Sequence, residues 1–156
     1  MRELILLRHA HAAAAAPGTT DVERNLSLTG EAEADAAAAW LAAYHARPAR
    51  VLCSPSSRTC QTLERVLQRI EYADTRHEPR IYEATAGELF GLLEEHADAE
   101  NLLLVGHNPG LETLVALLAT GQTGEFRGMP PAGIAWFEFT APPEPGNGRL
   151  KAFWAP

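Results

Sequence analysis

The sequence predicts an α/β protein: a three-layer α/β/α sandwich built on a mostly parallel sheet and closed by a C-terminal hairpin. Three observations lead there. Short unbroken apolar runs at residues 4–7, 51–53 and 102–105 read as buried strands. Between them lie segments whose apolar residues recur at helical spacing, and strands alternating with helices make a parallel sheet covered on both faces. Last, residues 134–139 and 150–154 flank a Pro/Gly-rich turn and read as a hairpin. At 156 residues the chain is long enough to bury a core of its own. No repeat or linker divides it, so residues 1–156 are expected to form one domain.

Taken in order, the first strand ends abruptly at Arg8 and His9. Pro17 and Gly18 then mark a surface loop. A helix follows, with Thr29 as the expected N-cap and Glu31 and Glu33 in its first turn, where carboxylates suit the dipole. Its apolar stripe is Ala37, Trp40, Leu41 and Tyr44, and it is expected to run to about residue 46, before Pro48. The second strand passes into Ser54-Pro55-Ser56-Ser57, whose serines suit a helix start. That helix carries Arg58, Gln61 and Thr62 early and buries Leu63, Val66, Leu67 and Ile70. Residues 75–82 read as a third strand, bent or at an edge because of Pro79, with Glu83 at its end. A short helix over 86–96 turns Leu89, Phe90 and Leu93 inward. The strand over 101–105 breaks at Gly106-His107-Asn108-Pro109-Gly110. Pro109 suits a first helical turn, and Leu111, Leu114, Val115 and Leu118 form that helix's core face before Gly121 and Gly124 end it.

Composition excludes several functions. The net charge is −7 and no basic stripe exists, whereas nucleic-acid affinity comes from clustered Lys and Arg. No apolar run approaches the ~20 residues of a membrane span, and the start of the chain has no signal-peptide pattern, so a cytoplasmic protein without membrane contact is expected. Cys53 and Cys60 have no His or Cys neighbours at ligand spacing and read as reduced and structural. His45, His77 and His96 read as surface residues, and Glu88, Glu94 and Glu95 as a solvated helix face. Trp136, Phe137, Phe139, Phe153 and Trp154 read as sheet packing.

If the sheet is parallel, its strand ends share one edge, where ligands bind in open α/β sheets. That edge would gather Arg8, His9, Ser54, Arg58, Glu83 and His107. Such a set suits phosphoryl transfer. Arginine forks match phosphate oxygens, a neutral histidine is a competent nucleophile, a protonated one adds positive charge, and a carboxylic acid can protonate a leaving group. No metal or other cofactor is required, because the arginines supply the charge.

These residues carry a resemblance. Leu7-Arg8-His9-Ala10 resembles the Arg-His-Gly signature of the histidine phosphatase superfamily, with Ala10 where the signature usually has Gly. The segments 24–30, 54–62 and 105–108 resemble, in the right order, the family's loop before its first helix, its second-arginine segment and its second-histidine segment. The short length points to the SixA-type branch, the phosphohistidine phosphatases. The resemblance implies a phosphoglycerate mutase-like fold, His9 as nucleophile, Arg8 and Arg58 holding the phosphoryl group, and His107 donating to it. It also implies Asn108 in the pocket and Glu83 as the best positional match for an acid.

Only one helix fills the stretch between Glu83 and the strand before His107, so no lid is expected. An open crevice favours a phosphate displayed on a protein: a histidine phosphotransfer domain or a phosphotransferase-system carrier. A monomer is expected. Three other readings remain: a phosphatase of small phosphate esters, a metal hydrolase using His9, His11 and His107, and a non-catalytic phosphate-binding module. Against the metal site stands Arg8, a cation directly beside the ligands. His11 on its own reads as a residue of the pocket rim or surface.

Overall fold

The computed structural model describes residues 1–156. A six-stranded sheet runs in the order β3-β2-β4-β1-β5-β6. Four strands are parallel: β1 (Glu3–Arg8), β2 (Arg50–Cys53), β3 (Asp74–His77) and β4 (Asn101–Gly106). β5 (Ile134–Glu138) and β6 (Arg149–Trp154) are the C-terminal hairpin, and β5 lies antiparallel to β1. The mostly parallel α/β sheet with its terminal hairpin is the expected one.

Alternation along the strands sorts the core into two halves. Ile5, Leu7, Val51, Leu103 and Val105 face α1 (Leu28–Ala43) and α2 (Ser57–Leu67). Leu4, Leu6, Leu52, Leu102 and Leu104 face α3 (Ala86–Glu95) and α4 (Gly110–Thr120). The central strands β1 and β4 are buried on both faces, which is why they read as unbroken apolar runs. Each fully buried leucine there contributes roughly 2 kcal/mol by leaving water. All the expected core residues of α4 are buried, and Gly121 ends that helix in a left-handed conformation at φ 81°.

Four local expectations need correction. α1 is capped by Ser27, whose hydroxyl accepts from Gly30 N, and not by Thr29. Gly30 packs against the carbonyl of His11, where a Cβ has no room, and this pulls the helix start back. The same helix ends at Ala43, and Tyr44 from its expected stripe is exposed: Ala34, Ala37, Ala38 and Leu41 are buried and Trp40 packs on Trp136 and Trp154 of the sheet, while Tyr44 lies outside, against the ring of Trp40. The third strand stops at His77, and Pro79 opens a short 3₁₀ turn instead of bending a strand. His96 is buried, not a surface residue: it caps α3 and its Nδ1 accepts from Arg50.

Candidate active site

β1 delivers Arg8 and His9 to the carboxyl edge. The His9 backbone is gripped on both sides, donating to Gly106 O at 3.1 Å and accepting from Ala132 N at 3.1 Å. Its ring is fixed locally: Nδ1 lies 2.7 Å from the carbonyl of Ala10. A carbonyl can only accept, so Nδ1 carries the proton and the Nε2 lone pair is left for chemistry. Burial, then the positive field of Arg58 and Arg8, pushes the His9 pKa down from 6.5 to about 4, so the imidazole is neutral at pH 7. Arg8 Nη1 donates to Met129 O at 2.8 Å, while its buried Nε has no acceptor in the protein. A phosphoryl oxygen would satisfy that donor.

β4 delivers His107, whose ring centroid lies 5.3 Å from that of His9. Its Nε2 is 2.7 Å from the Oγ of the fully buried Ser54, at the end of β2. Its Nδ1 faces Arg58 Nη2 at 3.5 Å. Arginine is donor only, so Nδ1 accepts and Nε2–H donates to the serine. Burial, then His9 and Arg58, lowers the His107 pKa to about 3. Without a bound anion both imidazoles are therefore neutral at pH 7, and the standing positive charge comes from the arginines.

Arg58 lies in the first turn of α2, capped by Ser56 as expected, and is only 6% exposed. It is held by a residue that sequence reasoning missed. Arg58 Nη1 donates to the backbone carbonyl of Asp21 at 2.8 Å, and Nη2 to the Asp21 carboxylate at 3.1 Å. The same carboxylate accepts from Tyr82 Oη at 2.5 Å and Arg24 Nη1 at 3.1 Å. With three donors, Tyr82 foremost, it is held far below the usual carboxylate range. Tyr82 also stands edge-on to His107, with centroids 5.5 Å apart. Asp21 thus straps the loop between β1 and α1 across the site. The Asp21-x-x-Arg24 spacing is the available signal, and the sequence marks Ser54 as a strand end and helix start without its bond to His107.

The remaining residues stand around a pocket of about 720 Å³, lined by Arg8, His9, Arg58, Glu83, His107 and Asn108 among others. Glu83 is exposed, and its backbone holds φ 59°, a conformation that costs of order 1 kcal/mol for a residue with a side chain and persists chiefly at functional sites. Its neighbour Ala84 packs its carbonyl against Gly110, where no Cβ fits, and this draws the Glu83 segment up to the start of α4. Asn108 is in the wall, but its amide is engaged: Nδ2 donates to Met129 O at 2.9 Å and Glu112 at 3.1 Å. His11 is exposed on the rim and turns its Nδ1 to Ser27 Oγ at 2.7 Å. The set His9, His11 and His107 does not converge, and no three His, Cys, Asp or Glu side chains are grouped to hold a metal ion. Cys53 and Cys60 are free thiols, both turned to the carbonyl of Ser54 at 3.3 and 3.6 Å. No helix is long and apolar enough to cross a membrane.

Comparison with known proteins agrees with this geometry. An uncharacterised protein of Mycobacterium tuberculosis is 32% identical over 158 residues, covering 94% of this chain and 98% of its own. The solved SixA protein of Agrobacterium tumefaciens superposes with a TM-score of 0.86 at 29% identity, over 99% of this chain and 98% of that one. The structure of the protein histidine phosphatase SixA complexed with tungstate matches with a TM-score of 0.82 at 27% identity, over 98% and 96% of the two chains. The model of the histidine phosphatase superfamily, branch 1, matches residues 4–103. The chain is a phosphatase of the histidine phosphatase superfamily, with the SixA-type fold.

Proposed function

We propose that the protein removes the phosphoryl group from phosphohistidine displayed on another protein, through a phosphohistidine of its own at His9 and without a metal ion. The observation that carries this reading is the tautomer of His9: Nδ1 is tied to Ala10 O, and Nε2 is left as a lone pair in the positive field of Arg58 and Arg8. Two further observations support it. The stretch between Glu83 and His107 holds only α3 and β4, with no insertion to roof the pocket against a protein surface. The SixA structures cover nearly the whole chain.

In the first step His9 Nε2 attacks phosphorus, and the P–N bond to the substrate imidazole breaks. The departing nitrogen keeps the bond pair and takes a proton from Glu83 or solvent. In the second step water attacks phosphorus, the P–Nε2 bond breaks, and the water proton passes to a base of the pocket, releasing inorganic phosphate. Arg8, Arg58 and the Nδ1 of His107 face the charge that builds on the phosphoryl oxygens. The incoming phosphoryl group is anionic, which favours His107 as a protonated donor in the complex.

The test is phosphate release from a histidine-phosphorylated carrier protein in excess chelator. Wild type is expected to turn over and to trap an acid-labile phosphoryl group on His9. His9→Ala is expected to lose about 10³-fold or more. Turnover abolished by chelator in the wild type would reject the metal-free mechanism, and turnover confined to phosphate esters would reject the phosphohistidine substrate.

A further inference from the structure

The pocket does not end at Thr113. That residue also lines a second groove, of about 420 Å³, whose far wall is the loop over residues 123–128. The loop is tied to the catalytic centre where it ends. Met129 O accepts from Arg8 at 2.8 Å and from Asn108 at 2.9 Å, and Met129 N donates to Glu112 at 3.4 Å.

Two side chains of the loop stand out. Phe126 is one of four large apolar residues left exposed in the chain. Arg127 lies over the rings of Phe126 and Phe153, at 5.4 and 4.8 Å from their centroids. The chain has thirteen Lys and Arg, and all but Arg8, Arg69 and Arg127 are ion-paired. Arg8 faces the phosphoryl site, and Arg69 follows the far end of α2. Arg127 is therefore the one uncommitted cation beside the pocket, in a chain of net charge −7. Held against two rings, it has little freedom left to lose on binding.

We propose that this groove receives the polypeptide segment next to the phosphorylated histidine of a protein substrate, with Arg127 meeting a carboxylate and Phe126 an apolar side chain of that segment. The proposal rests on the phosphoprotein reading above. A phosphoryl group held by His9 and Arg8 occupies the first pocket, and only a substrate that continues past Thr113 reaches the loop. Glu125 gives the groove a carboxylate of its own, so the segment it suits is mixed in charge and not a run of acids. Glu112 is already engaged by Asn108 and Met129.

The experiment compares a histidine-phosphorylated carrier protein with free phosphohistidine, which has the same scissile bond. Arg127→Glu is expected to raise KM for the carrier protein about tenfold, with kcat unchanged and with kcat/KM for free phosphohistidine unchanged. Arg127→Lys is expected to keep most of the affinity. Equal losses on both substrates would assign the loop to positioning Arg8 through Met129 and overturn the docking role, as would no loss on either. Wild type active on free phosphohistidine but not on the carrier protein would also overturn it. Wild type inactive on both yet active on a phosphate ester would instead overturn the phosphohistidine reading itself.

Discussion

The two ends of the parallel sheet are built on opposite principles. At the amino ends charges are paired within the chain: Arg2 with Glu100 at 3.1 Å, Lys151 with Glu3 at 3.0 Å, and Arg50 with Asp98 through both terminal nitrogens at 2.9 Å, so that even its buried Nε, which makes no hydrogen bond, has the Asp74 carboxylate 3.8 Å away. At the carboxyl ends Arg8 Nε is buried without an acceptor, two histidines are held neutral, and Glu83 keeps a left-handed backbone. One end is arranged for the folded chain alone. The other withholds satisfaction from several groups, and the apolar strands β1 and β4 between them hold it in place. Stability and activity should therefore separate along the strand axis.

The largest effect that would break this contrast is at Asp21. Removing its carboxylate in Asp21→Ala releases Arg58, Arg24 and Tyr82 together, and kcat/KM is expected to fall about 10²-fold through misplacement of the guanidinium. The loss should lie mainly in KM, and Asp21→Asn, which keeps one acceptor oxygen, should recover part of it. An unchanged KM would mean that Arg58 is held by α2 alone.

The next effect is in pH. Unfolded imidazoles bind protons near 6.5, whereas His9 and His107 in the folded chain wait until about 4 and about 3. Between those values the unfolded state binds more protons, so stability rises with pH and is lost as pH falls from 6.5 toward 4. Thermal unfolding of wild type and of His9→Gln/His107→Gln across that range should show a flatter slope in the double variant. Equal slopes would place the acid sensitivity elsewhere. The smallest effect belongs to the other end. Arg50→Ala should cost about 1 kcal/mol of stability, the upper end for a surface pair, because the guanidinium is mostly covered and its Asp98 partner is exposed, and leave kcat unchanged. A loss of activity there would show that the two ends are coupled.

Much of this was legible in the sequence, because β1, β2 and β4 are apolar on both faces and each ends in a chemically distinct residue. A parallel sheet then puts Arg8, His9, Ser54 and His107 together without any need for distances. Asp21 was not legible: it is one carboxylate among twenty acidic residues, in a loop whose path depends on tertiary contacts with α2 and Tyr82. The N-cap of α1 is ambiguous in the sequence for a related reason. Thr29 and Ser27 are equivalent as caps by type, and only the approach of Gly30 to the His11 carbonyl decides between them. His96 looked exposed because nothing local announces that Arg50 reaches it from a different element.

Those glycine contacts have a consequence for how such a site can diversify. One wall of the pocket is set by Gly30 meeting the backbone of His11, the other by Gly110 meeting the backbone of Ala84. The span between the walls is thus gauged by main chain against main chain. Exposed side chains such as His11 on the rim and Phe126 in the adjoining groove can be exchanged without changing that gauge. A lineage of proteins could retune which surfaces it greets while the jaws that grip the phosphoryl group keep their width.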